Sequence, residues 1–126
     1  VPFDRNVRVL LVDDHVIMRQ GLSSMLGRQP RIHVVGEAAD GEEGVQMARE
    51  LQPDVILMDI SMPRMSGIDA TRVIHAEAPH IRIIGLSMYD DAETENGMLN
   101  AGAVAFMNKS GHTDALLSVI LESSAP

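Results

Sequence analysis

Cysteine is absent from this 126-residue chain. That excludes disulfides, thiolate zinc centres and thiol nucleophiles, and it fits a reducing compartment, so the expected location is the cytoplasm. Basic residues are scarce: ten Lys and Arg face eighteen Asp and Glu, for a net charge of −8. So acidic a surface repels phosphate backbones and argues against DNA or RNA binding by this segment itself. No apolar run approaches the ~20 residues that cross a bilayer, and no signal peptide opens the chain, so no membrane association is expected. What is present is a hydrophobic fraction of 45%. A chain of this size buries roughly two-thirds of its unfolded surface, which makes one ordered domain the expectation. The sequence begins at Val1 and reads as a fragment or a processed form. The tail Ser123-Ser124-Ala125-Pro126 reads as the start of a linker or a cloning boundary.

Five short apolar runs recur along the chain: Val7–Val12, Ile32–Ala38, Val55–Met58, Ile81–Leu86 and Ala103–Met107. Unalternating, β-branched runs of this kind are strands buried on both faces. Between them the spacing predicts helices over Ile17–Leu26, Gly41–Leu51, Ile68–Ala78, Ala92–Ala101 and Asp114–Glu122. Asp40 and Glu43 read as a capping box for the second, and Pro79 closes the third. The fourth contains Thr94, Asn96, Gly97 and Asn100, with clear apolar anchors only at Met98 and Leu99. Its propensity deficit against an Ala-rich segment is about 2–3 kcal/mol, so a short, mobile or irregular element is expected there. Strand–helix alternation repeated five times argues for an α/β fold, a parallel sheet with helices on both faces.

In an open parallel sheet, ligands bind beyond the carboxyl ends of the strands. Strand one runs into Asp13-Asp14, strand three ends in Asp59, strand four in Ser87, and strand five leads to Lys109. Each has an ordinary explanation. Asp13 or Asp14 could cap the first helix, Asp59 could be a turn residue, and Lys109 could be solvated. Jointly they supply three carboxylates, a hydroxyl and an amine to one edge, which is the inventory of a phosphate-and-metal site. Clustered carboxylates raise one another's pKa unless a cation sits among them. With no Cys, and with His15 read as a helix-start or surface residue, the oxygen donors favour Mg²⁺ over zinc. A carboxylate can also attack phosphorus to give an acyl phosphate, while a cation and donors neutralise the transferring group. Asp59, alone at a central strand end before the Pro63–Gly67 turn, is the better nucleophile.

Leu11-Val12-Asp13-Asp14-His15, Asp59-Ile60-Ser61-Met62-Pro63 with Gly67, Leu86-Ser87-Met88-Tyr89-Asp90-Asp91, and Ala101-Gly102-Ala103 with Phe106 and Lys109 stand in a fixed order. As a set they resemble the receiver domain of two-component response regulators, over residues 6–122. His15 and the Ser-Met-Tyr-Asp-Asp stretch are similar to the subfamily with a helix-turn-helix of the nitrate-regulator and quorum-regulator type. The resemblance implies a flavodoxin-like (βα)5 doubly wound fold, strand order 2-1-3-4-5. It implies Asp59 as phosphoacceptor from a sensor histidine kinase or phosphotransfer protein. Mg²⁺ would be held by Asp14, Asp59 and the backbone carbonyl of Ser61, with Asp13 assisting through water. Lys109 and Ser87 would contact the phosphoryl group, and Phe106 would follow Ser87 in switching, although a strand-five core role suits it too. Ser61 and Tyr89 match the positions that tune hydrolysis of the acyl phosphate. The chain would be a switch and no enzyme beyond self-phosphorylation and self-dephosphorylation. Phosphorylation would control an output such as transcription. Partners would include a phosphorylation-dependent second copy, with DNA reached only through an output domain absent from this chain. Helices one and five offer dimer candidates at Val16, Leu117 and Leu121, side chains that could equally pack on the sheet. Many receivers carry Pro after the lysine; Ser110 stands there instead.

Three other functions fit less well. An aspartate-nucleophile phosphatase of the haloacid-dehalogenase type requires a second Asp two residues after the nucleophile, where Ser61 stands, and an insertion to form a cap. A flavin or nucleotide module needs a Gly/Ser/Thr-rich phosphate loop where Asp13-Asp14 lie. A degenerate receiver would lack part of the acid, hydroxyl and amine set.

Overall fold

Side chains along the first strand alternate between two cores, and that alternation organises the domain. In the computed structural model, which describes residues 6–88, 91–111 and 113–122, β1 (Val7–Val12), β2 (Ile32–Ala38), β3 (Val55–Asp59), β4 (Arg82–Ser87) and β5 (Ala105–Asn108) form one parallel sheet. The strand order is β2-β1-β3-β4-β5, as expected. The helices are α1 (Val16–Gly27), α2 (Gly41–Leu51), α3 (Gly67–Glu77), α4 (Ala92–Ala101) and α5 (Thr113–Glu122). Val7, Val9, Leu11, Val55 and Leu57 face Leu26 of α1 and Leu116 and Ile120 of α5. Leu10, Val12, Ile56 and Met58 point the other way, to Val45, Ala48, Ala70, Ile74 and Met98 of α2, α3 and α4. Period-two alternation therefore buries both faces, which is why the runs read as continuously apolar. None of the described helices is long and apolar enough to cross a membrane.

The helix starts follow local chemistry. The Asp40 carboxylate accepts from the Glu43 N–H at 2.8 Å, and the Ser66 hydroxyl from the Asp69 N–H at 3.2 Å. Both satisfy first-turn donors that the helix cannot. Helix α1 starts differently. Its N-cap is His15, whose side chain makes no cap bond, so neither Asp13 nor Asp14 stands at that position.

Of the expectation of a short, mobile or irregular fourth helix, the irregularity is corrected: α4 is a continuous α-helix over the expected ten residues. Asp91 caps it, accepting from the Glu93 N–H at 3.0 Å. Met98 is fully buried and receives the Thr71 hydroxyl at its sulfur. Gly97, poor in helix propensity, sits where a Cβ would come within 3.1 Å of Ile68 Cδ1. The residue that weakens the helix in isolation lets it pack closely on α3, so tertiary contact overrides propensity. Gly102 ends α4 at φ 122°, a conformation open to glycine, with its N–H bonded to Leu99 O.

Of the dimer candidates, Val16 is half exposed (52%), but Leu117 and Leu121 are partly buried against the α1–α5 core. Those two side chains are core margin, which matches the alternative that they pack on the sheet. The tail 123–126 and Tyr89 lie outside the described residues.

Candidate functional site

Register carries the polar residues to one rim. Val12 pairs with Met58, Asp59 with Leu86, and Ser87 with Asn108, so Asp13, Asp59, Ser87 and Lys109 all emerge at the carboxyl ends of adjacent strands. Asp59 is the last residue of β3 and 4% exposed, and Asp13 follows β1 directly at 2%. Gly67 holds the loop after β3: its N–H donates to Ile60 O at 2.8 Å, and a Cβ there would collide with the Asp59 carbonyl oxygen. Only glycine fits so close to the backbone of Asp59.

Lys109 reaches this rim from a tight turn. Its N–H donates to Ser87 O at 2.7 Å, Gly111 N–H closes the turn onto Asn108 O at 3.0 Å, and the Asn108 side chain accepts from the Ser110 N–H at 2.7 Å. No cis peptide occurs among the described residues, so the Lys109–Ser110 bond is trans. The ammonium stands 2.8 Å from Asp13 Oδ2 and 2.9 Å from Asp59 Oδ1, with its side chain 2% exposed. One buried cation thus bridges two buried carboxylates.

The electrostatics follow from that count of charges. Burial pushes Asp59 up to about 6, and the charge of Asp13 and the neighbouring Asp14 carboxyl add to the rise, against the opposing pull of Lys109. Burial also acts on Asp13, but hydrogen bonds from Lys109 and from the His15 N–H hold it below the usual carboxylate range. Lys109 loses basicity to burial and regains more from Asp13 and Asp59, ending above an ordinary lysine. Two buried oxygens, Asp14 Oδ1 and Asp59 Oδ2, make no hydrogen bond. Buried acceptors left unpaired are costly, and oxygens from three carboxylates within 4.8 Å of one another fit a hard dication that would satisfy them.

The remaining predicted residues fall nearby. Ser87 ends β4 half-buried, and its carbonyl carries Lys109. Ser61 is exposed in the bend after β3. Phe106 is partly buried against the α2–α4 core, its ring over Gly85, where a Cβ would lie 3.0 Å from Cδ1.

Two side chains beside the acids, His15 at the helix start as read and Arg19, add contacts at this rim. His15 reads as a surface residue, and its side chain is 63% exposed, yet Nδ1 lies 3.2 Å from Asp13 Oδ1, 3.1 Å from Asp14 Oδ1 and 3.9 Å from Asp59 Oδ2. Arg19, one turn into α1, donates from Nη1 to the Asp13 carbonyl at 2.6 Å and from Nε to Glu37 at 3.1 Å. It pins the loop that carries both acids. The spacing of four between His15 and Arg19 places them on one helix face, the only signal in the sequence.

Comparison with known proteins accords with this geometry. The response regulator receiver domain family matches residues 9–121. The chain belongs to that family. It is similar to the transcriptional regulatory protein LiaR of Bacillus subtilis, 43% identical over 94% of this chain and 56% of LiaR. It is also similar to response regulator GacA of Pseudomonas syringae, 40% identical over 82% of this chain and 48% of GacA. The chain therefore spans about half the length of these curated relatives. Among solved structures, the NarL receiver of Mycobacterium tuberculosis superposes with a TM-score of 0.90 at 28% identity, covering 95% of this chain and 97% of that one. A LuxR-family response regulator from Aurantimonas sp. gives 0.87 at 35%, covering 93% and 86%. A chain of the CheX–CheY–BeF3–Mg²⁺ complex from Borrelia burgdorferi gives 0.89 at 26%, covering 99% and 98%. The chain is a receiver domain of two-component response regulators, a signalling switch in family rather than a conventional enzyme.

Proposed function

We propose that Asp59 is the phosphoacceptor of this receiver and takes a phosphoryl group from a sensor histidine kinase or phosphotransfer protein. The observation that carries the reading is the shared rim: Asp59, nearly buried and raised toward protonation, faces Lys109 at 2.9 Å while its other oxygen lacks a partner. A carboxylate oxygen of Asp59 attacks phosphorus, the bond from phosphorus to the donor nitrogen breaks, and the imidazole leaves with the electron pair. Oδ1 suits attack, because Lys109 already stands beside it and can follow the transferred oxygens. The Ser87 hydroxyl, at the end of the neighbouring strand, donates to another of them.

Mg²⁺ fits the unpaired oxygens and would be held by Asp14, Asp59 and the Ser61 carbonyl, with Asp13 in support; it supplies neutralisation of the phosphoryl charge. The presence of BeF3 and Mg²⁺ in the Borrelia burgdorferi complex, one of whose chains this fold matches, supports that assignment. Phe106, on the strand that delivers Lys109, reorients as Ser87 moves. Ser61 and Tyr89 set the rate of hydrolysis. Self-phosphorylation from small donors and self-dephosphorylation are the whole of its catalysis. The regulator works in the cytoplasm, forms a phosphorylation-dependent homodimer, and controls transcription through an output domain like those of its longer relatives.

The test is incubation with acetyl phosphate or beryllofluoride, with and without Mg²⁺, for wild type and Asp59→Asn. Stoichiometric, Mg²⁺-dependent modification lost in the variant is expected. Multiple turnover of a phosphomonoester, or no modification at all, overturns the reading.

A further inference from the structure

The carboxylate oxygens at the rim divide into two sets. Lys109 engages Asp13 Oδ2 and Asp59 Oδ1. The complementary oxygens, Asp13 Oδ1, Asp14 Oδ1 and Asp59 Oδ2, face the opposite way, and all three converge on Nδ1 of His15 at 3.2, 3.1 and 3.9 Å. Two of the three are the buried oxygens without a hydrogen bond, and the Asp59 side chain that aims one of them inward is only 5% exposed. Adjacent ligand atoms around an octahedral ion with bonds of about 2.1 Å stand about 3 Å apart. The separations of Nδ1 from the Asp13 and Asp14 oxygens match the edge of such a shell.

We infer that His15 is a metal ligand, so that this site is a mixed nitrogen–oxygen centre suited to first-row transition dications such as Co²⁺, Fe²⁺ or Zn²⁺ as well as to Mg²⁺. The inference rests on the site proposed above and adds to it. Magnesium takes oxygen donors almost exclusively, whereas an imidazole favours the later divalent ions. Placing one nitrogen beside three carboxylates shifts the balance between those ions without changing the acids. The position makes this possible: as N-cap of α1, His15 has its own N–H bonded to Asp13 Oδ1 at 2.9 Å, which turns the ring back over the cluster instead of out along the helix. The carbonyl of Asp13 is fixed by Arg19 at 2.6 Å, so the loop presents acid and imidazole as one unit. With Nδ1 as the ligand atom, the ring proton would reside on Nε2.

Co²⁺ added to the wild-type chain reads this directly. A coordinated imidazole gives a strongly shifted, solvent-exchangeable N–H resonance in the proton NMR spectrum. The expected result is one such resonance in wild type that disappears in His15→Ala and persists in variants of the other four histidines. By titration calorimetry, the preference for Co²⁺ over Mg²⁺ should fall about tenfold or more in His15→Ala, at least the loss that perturbing a metal centre's supporting groups brings. No shifted resonance in wild type, one that survives His15→Ala, or an unchanged ion preference overturns the inference. The two readings fail differently. If both ions bind, Asp59→Asn weakens both, and no imidazole signal appears, only the ligand role of His15 is lost. If neither ion responds to Asp59→Asn, the phosphoacceptor site falls with it.

Discussion

Nζ of Lys109 lies 2.9 Å from Oδ1 of Asp59, across fifty residues of sequence and two strand boundaries, with less than a tenth of either side chain exposed. The contact is one arm of a bridge whose other arm reaches Asp13. Lys109→Met leaves two buried carboxylates facing each other with no cation between them. Removing one partner of a buried pair costs about 3–5 kcal/mol. In metal-free buffer, the denaturant midpoint of the variant should fall accordingly, with the largest loss above about pH 6. The Asp59 carboxyl carbon, followed by NMR, should titrate higher than in wild type. An unchanged titration would separate Lys109 from Asp59 electrostatically.

Burial raises the carboxyl of Asp59 to about 6 from 3.8. Between those values the folded chain keeps a proton that the unfolded chain has released. Stability from this group is therefore present below about pH 4, declines as pH rises through about 6, and does not return above it, for a total on the order of 2–3 kcal/mol. Asp13 has the opposite sign: its depressed pKa stabilises the fold above the unfolded value, and that contribution is lost as pH falls through the folded value. Asp13 is common to wild type and Asp59→Asn. In EDTA the variant should be the more stable protein near neutrality, and the gap should close toward about pH 4. Urea midpoints of the two proteins across that range check it; a gap independent of pH would falsify the assignment of the shift.

Adding Mg²⁺ should stabilise wild type at neutral pH in a saturable way, by about 2.7 kcal/mol at one hundred times its dissociation constant. Chelation should reverse the gain. Asp14→Ala removes one of the two buried unpaired oxygens and should lose most of the Mg²⁺-dependent rise in melting temperature. A full rise in that variant would move the ion elsewhere.

Helix α4 depends on one buried anchor more than on its own propensity. Met98→Ala should cost about 2–5 kcal/mol, as deletions from a packed core do, whereas Asp91→Ala, which removes an exposed cap, should cost less. Amide exchange reads the difference by element. Met98→Ala should accelerate exchange through α3 and α4 together, because Thr71 and Ile68 contact α4 at Met98 and Gly97. Acceleration confined to the first turn of α4 in both variants would contradict that dependence.

The fold was legible because its signal is repeated. Five unalternating apolar runs with helical segments between them leave few arrangements, and the strand ends then select which polar residues meet. Asp13, Asp59 and Lys109 are found by that route without any contact information. Propensity misjudged α4 because Gly97 is unfavourable in an isolated helix yet lies close against Ile68 in the packed domain. Arg19 was missed for a related reason. A lone imidazole or guanidinium at a helix start has many possible neighbours, and only the turn made by the His15 N–H onto Asp13 selects among them. For Leu117 and Leu121 the sequence leaves surface and core both open, because a helical stripe does not show where a packed core ends.

The hydrogen bond from the Lys109 amide to the Ser87 carbonyl has a mechanical consequence. It couples the tips of β4 and β5, so a pull exerted on the amine when charge accumulates near Asp59 is felt at the base of the hydroxyl-bearing residue next door. A displacement of one tip would therefore be shared by the other, one residue chain-ward of the segment that leads to α4.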